Sequence, residues 1–212
     1  MRFITTSAVL LSLMMSPLYA HEHHGDHIEG KSEGAEMKPT SAPVEVSAPQ
    51  DARSYFTDTV LQNQHGETVR FYSDVLQDKV VLLNVIFTHC DDACPLITRK
   101  LKEVREAMDE KTAKQVHFIS ITSDPLNDKP EVLQAFIRKH EIESPNWTFL
   151  TGDKAQVDLV LSRLGHFIAS PEAHSTLLIA GDVANKRWNK IQPDAPVPAI
   201  AQRLELLTEP RH

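Results

Sequence analysis

The sequence predicts an α/β three-layer sandwich, and three observations carry that expectation. An almost continuously apolar, β-branched run, Val80 to Phe87, reads as a central strand covered on both faces. Apolar residues follow at helical steps, Ile97, Leu101, Val104 and Met108, and line one buried face. A second apolar run, His117 to Thr122, then returns to the sheet, so that strand and helix alternate.

The remaining elements are legible in order. Tyr55 to Leu61 and Thr68 to Tyr72 are strand-like and flank Asn63-Gln64-His65-Gly66, whose Asn and Gly favour a turn, so they predict an N-terminal β-hairpin. Pro95 sits where a helix can begin without wasting an N–H. A helix is predicted from about Pro130, with Leu133, Phe136, Ile137 and His140 inward, then a third strand over Trp147 to Leu150. Thr151 can cap a helix that turns Val157, Val160, Leu161 and Leu164 inward. Ser175 to Ala180, a turn at Gly181-Asp182, and Lys186 to Ile191 predict a second hairpin, and a last helix carries Ile200, Leu204 and Leu207. This is the order of a thioredoxin-like sandwich extended by a hairpin at its front. The two cysteines of the chain, Cys90 and Cys94, fall at the junction between the first central strand and its helix.

Residues 1–20 read as a secretory signal peptide cleaved after Ala20: Arg2 is followed by an apolar run, Ser7 to Met15, then Pro17 and Leu18-Tyr19-Ala20. That run is short of the roughly 20 residues a membrane span needs. The expectation is therefore a periplasmic or otherwise exported protein with no stable membrane insertion. Residues 21–51 are rich in His, Glu, Ser, Pro and Ala and nearly devoid of large apolar side chains, which predicts a disordered arm. Residues 52–212 have the length of one domain. The formal net charge of −7, with no stripe of Lys and Arg, excludes nucleic acid as a partner.

Three uses are open for the C-x3-C pair: a disulfide staple, a redox couple and a metal clamp. At four residues' spacing in a first helical turn the two Cα atoms stand roughly 6 Å apart, within reach of a disulfide or of one shared ion. A staple across so short a loop removes little chain entropy. In an oxidising compartment the pair closes unless it is reduced on purpose or occupied by metal, so a thiol reductant is an expected partner. The helix N-terminus favours thiolate, whereas Asp91 and Asp92 oppose it, so the pair is expected to be less acidic than that of a strong dithiol oxidant. Two soft thiolates are a partial Cu(I) site that an imidazole would complete. Among the histidines, His89 is expected to point away from its neighbour Cys90 in extended backbone. His117 and His140 fall in or beside core patterns, and His65 and His166 in turns. His174 differs, because it follows the loop Ala169 to Ala173 and immediately precedes a strand, where a thioredoxin-like sheet brings the chain back toward the cysteines.

Three ordered blocks carry a resemblance to a known family. Phe87-Thr88-His89-Cys90-Asp91-Asp92-Ala93-Cys94-Pro95 resembles the C-P-x-x-C-P stretch of the Sco/SenC family of copper chaperones and thiol-active proteins for cytochrome c oxidase assembly. Ser120 to Pro125, followed by Asp128, Pro130, Glu131 and Val132, is similar to that family's S-x-D-P-x-x-D-x-P-E-x-L segment. Ala173-His174-Ser175 resembles its D-H-S ligand segment, although Ala173 stands where the family has an acidic residue and Asp91 where it has proline. The resemblance implies one copper ion, Cu(I) or Cu(II), bound by Cys90, Cys94 and His174. It also implies delivery to, or thiol maintenance of, the copper-site subunit of a terminal oxidase or another exported copper protein. The other class kept open is a thiol-disulfide oxidoreductase that uses Cys90 and Cys94 as its redox-active pair without obligatory metal.

The arm carries a second candidate site. His21, His23, His24 and His27 lie within seven residues, a composition suited to collecting metal. Cleavage after Ala20 would make His23 the third residue, so that the free amine, two amide nitrogens and one imidazole could form a square-planar Cu(II) chelate.

Overall fold

The computed structural model describes residues 52–210 except Asp92, Glu143, 167–169 and His174. The expected signal peptide, the arm with its four histidines, and His174 lie outside the described residues. The elements below all belong to one unit, Val46–His212.

The described residues form a seven-stranded mixed sheet in the order β2-β1-β5-β4-β3-β6-β7. Its centre is parallel: β3 (Val80–Ile86) pairs with β4 (Val116–Thr122), and β4 with β5 (Trp147–Thr151). Antiparallel hairpins flank it, β1 (Val60–Asn63) with β2 (Thr68–Arg70) beyond β5, and β6 (Leu178–Asp182) with β7 (Arg187–Ile191) beyond β3.

Strand alternation in β3 builds two cores. Leu82 and Ile86 face one layer with α2 (Ala93–Ala107), α3 (Glu110–Gln115), α4 (Pro130–Lys139) and α6 (Val197–Thr208). Val81, Leu83 and Val85 face the other, with α1 (Ala52–Phe56), a π-helical turn over Phe71–Leu76, and α5 (Lys154–Arg163). Full burial of each such side chain contributes about 1.5–3 kcal/mol, which is why this strand reads as uninterrupted apolar sequence. The three-layer α/β sandwich and its front hairpin are as expected.

Several boundaries differ for identifiable reasons. Tyr55 and Phe56 end α1 instead of opening a strand, because Phe56 is drawn under Trp188, ring centroids 5.0 Å apart. The strand predicted through Tyr72 stops at Arg70, whose N–H and guanidinium are taken by the Asp74 carboxylate. Helix α3 has little apolar periodicity and is held at its start by Asp109, which accepts from Lys111 and Thr112 N–H. Asp153, not Thr151, caps α5, and Thr151 is the last residue of β5. His140 is the C-cap of α4, one residue past the helix, and its ring still packs on the buried Phe136.

The predicted turn at Gly181-Asp182 is strand, and the chain reverses over residues 183–186. Gly181 faces Trp188 across the pair, and a Cβ there would fall 2.2 Å from the indole Cε3, so the glycine makes room for a ring. Asp182 holds the true turn by accepting from Asn185 N–H at 3.1 Å. It also pairs with Arg187 at 2.7 Å, whose guanidinium donates to the carbonyls of Leu206 and Leu207 and so ties the hairpin to α6.

Candidate functional site

Beyond the carboxyl end of β3 the chain makes a tight turn, Phe87 to Cys90, closed by Cys90 N–H donating to the Phe87 carbonyl at 3.2 Å. Helix α2 starts at Ala93, which puts Cys94 in its first turn and Pro95 just after, where its missing N–H costs nothing. Cys90 is half-buried and Cys94 fully buried, packed into the core with Ile97 and Leu101. The Cys94 N–H donates to the Cys90 sulfur at 3.3 Å, so the helix N-terminus supplies a donor where a Cys90 thiolate charge would form.

Two neighbouring loops brace this turn. Asp128, 0% exposed in the β4–α4 loop, accepts from Thr88 N–H at 3.1 Å, from the Thr88 hydroxyl at 2.5 Å and from the Thr122 hydroxyl at 2.6 Å. Ser123 N–H donates to the Ile86 carbonyl at 2.8 Å, and its hydroxyl donates to the Pro171 carbonyl at 3.1 Å. Pro171 opens the short 3-10 turn Pro171–Ala173 that leads to residue 174. Thr176, just beyond, lines a shallow pocket with Ala93, Ile97 and Lys100 of α2. The segments on both sides of His174 are thus anchored near the cysteine-bearing end of the sheet.

The other histidines are spread over the fold. His65 lies in the β1–β2 turn, His166 follows α5, and His140 stacks on Phe136 with centroids 4.3 Å apart. His117 is near the start of β4, the end of the strand opposite the cysteines, and burial followed by the Lys79 charge pulls its pKa down. Burial and then Lys139, Lys102 and Arg99 do the same to His140. Among the described residues no three His, Cys, Asp or Glu side chains converge as a complete metal cage.

Burial pushes the Cys94 thiol up to about 12, with Cys90 and the Asp128 carboxylate adding to the rise and a hydrogen bond from the Phe87 backbone opposing it. The expectation of a less acidic pair holds for Cys94. Its cause is the core around the sulfur together with Cys90 and Asp128, and Asp91 is not among the contributors. The two thiols should therefore differ in reactivity. Iodoacetamide at pH 8 is expected to label Cys90 at least about tenfold faster than Cys94, the difference narrowing as pH rises toward the Cys94 value. Peptide mapping of briefly labelled protein measures the ratio, and equal labelling would show that the core around Cys94 opens.

Sequence reasoning located the cysteines but assigned no structural role to Thr88 and Asp128, which are 40 residues apart. The signal available was an acidic residue three positions after Pro125, between Asn127 and Lys129, which carries no information about what it binds.

Residues 47–205 match the SCO1/SenC family profile. The chain belongs to the SCO1/SenC family. Its sequence is 36% identical to a SCO1 protein homolog of Bacillus subtilis over 91 residues, 43% of this chain and 46% of the relative. Such matches span about half the length of the curated relatives. Its fold is similar to Bradyrhizobium japonicum ScoI with copper bound, at TM-score 0.58 and 25% identity over 70% of this chain and 96% of that one. It is equally similar, at TM-score 0.58 and 26% identity over 70% of this chain and 90% of the other, to BsSco, described as a Sco-family cytochrome c oxidase assembly protein with a disulfide switch. The thioredoxin-like sandwich is therefore a family property. No helix among the described residues is long and apolar enough to cross a membrane.

Proposed function

We propose that this SCO1/SenC protein binds one copper ion through Cys90, Cys94 and His174 and, after export, passes it to the copper-site subunit of a terminal oxidase or to another exported copper protein. The observation that carries the reading is the donor set at the head of α2. One sulfur is half-buried and one buried, and the Cys94 N–H at the head of α2 donates to the Cys90 sulfur, so the two belong to one helical end; the 3-10 turn before residue 174, tied to Ser123, is what supports His174 as the third ligand. Soft thiolates suit Cu(I), a helix N-terminus stabilises their charge, and a nearby imidazole serves either oxidation state. The copper bound by Bradyrhizobium japonicum ScoI supports the choice of metal. Copper here is cargo, so the site must both hold and release it.

The histidines of the arm, His21, His23, His24 and His27, would form a separate and weaker Cu(II) site that depends on cleavage after Ala20. A second reading, thiol-disulfide exchange with exported proteins, is favoured by the hydrogen bond to the Cys90 sulfur and by the disulfide switch described for BsSco.

One experiment separates these readings. Reduced protein, with and without residues 21–50, is titrated with Cu(I) against a coloured competing chelator. One tight equivalent is expected in both forms, and air oxidation to the disulfide is expected to abolish it until a reductant is added. His174→Ala is expected to weaken Cu(II) binding severely and Cu(I) binding less, with the disulfide potential barely changed. Absence of a tight Cu(I) equivalent, alongside intact dithiol exchange, would leave the oxidoreductase reading standing.

A further inference from the structure

We propose that His89 is the entry ligand of this site, an exposed imidazole that first takes copper from a donor and hands it inward to Cys90. The proposal rests on the copper reading above. It starts from a correction: residues 87–90 form a turn, so His89 is not held on the face opposite Cys90 by extended backbone.

The hydrogen bonds around the ring decide which nitrogen carries the proton. Asp128 meets only donors, the Thr88 N–H and the Thr88 and Thr122 hydroxyls, as a carboxylate does. The Thr88 hydroxyl hydrogen is committed to Asp128 Oδ1 at 2.5 Å, so toward His89 Nδ1, 3.3 Å away, its oxygen can only accept. The same carboxylate oxygen stands 4.0 Å from Nδ1. The ring is therefore held as the Nδ1–H tautomer, which leaves the lone pair on Nε2. An imidazole whose other nitrogen is anchored to a hydroxyl-carboxylate chain has the outer-shell arrangement that orients metal-binding histidines. The ring does little else for the loop, because Asp128 already grips Thr88 through both backbone and hydroxyl.

Exposure grades inward along the same segment. The His89 side chain is 68% exposed, Cys90 is intermediate and Cys94 is 0% exposed. An ion arriving from outside meets them in that order. In the step, Cu(I) exchanges a bond to the donor ligand for one to His89 Nε2. Cys90 then gives its thiol proton to solvent, and its sulfur takes the ion as the bond to Nε2 breaks. No electron moves.

The test is stopped-flow transfer of Cu(I) from a coloured chelator to the reduced full chain, beside an equilibrium competition and imidazole 15N shifts of the copper-free protein. His89→Gln is expected to slow loading about tenfold while equilibrium affinity changes less than about threefold. Thr88→Val, which removes the relay and keeps the shape, is expected to slow loading less and to release His89 from the Nδ1–H tautomer seen in the unaltered chain. Unchanged loading in His89→Gln, an affinity loss as large as the rate loss, or an Nε2–H tautomer in the unaltered chain would overturn the entry role alone. Failure of the unaltered chain to bind Cu(I) would overturn the copper reading and this inference with it.

Discussion

Cys94→Ser is expected to weaken Cu(I) binding by the reduced chain at least about a hundredfold. Thiolate-rich metal sites are worth roughly 10–16 kcal/mol over about four ligands, so each ligand carries on the order of 3 kcal/mol. A serine hydroxyl is a hard donor that does not replace a thiolate toward Cu(I). The same change also acts on the fold, because Cys94 is fully buried beside Ile97 and Leu101, where a hydroxyl costs more to bury than a thiol. Cys90→Ser separates the two effects. Cys90 is only half-buried, so its replacement should lose comparable affinity with little loss of stability. Competition with a Cu(I) chelator gives the affinity and urea unfolding the stability. Retention of tight Cu(I) binding in both variants would show that the pair is not the copper site.

Asp128→Ala is expected to destabilise the domain by about 3–5 kcal/mol, since it strips partners from three donors, one fully buried and two partly so, and each orphaned buried donor costs about 1–3 kcal/mol. The donors are Thr88 N–H and the hydroxyls of Thr88 and Thr122. Asp128→Asn keeps one acceptor oxygen but brings an NH2 group against a donor, so it should cost less than the alanine and still loosen the turn. Amide hydrogen exchange at residues 87–90 should rise in both variants more than it rises in the strands. A loss below about 1 kcal/mol in Asp128→Ala would mean that water replaces the carboxylate and that the turn is held by other contacts. The effect bears on function because the segment that Asp128 grips is the one presenting His89 and Cys90 to any partner.

What sequence alone determined here is whatever is written in local periodicity. Val80–Ile86 is apolar at successive positions because both faces are covered, and Ile97, Leu101 and Val104 recur at helical steps because one face of α2 is. Cys90 and Cys94 were legible as a pair for the same reason, since a four-residue spacing at a helix start is a local fact. The tertiary structure decided everything that depends on a contact distant in sequence. Gly181 looks like a turn residue until Trp188 is seen to occupy the space of its missing Cβ. Tyr55 and Phe56 look like strand until Phe56 is seen beneath that same Trp188. Asp128 looks like a loop acid until it is found fully buried and bonded to Thr88, 40 residues away, whose hydroxyl also touches the His89 ring. Such hydrogen bonds have no period along the chain, because the partners are brought together by the packing of β3 against β4 and only then acquire their roles.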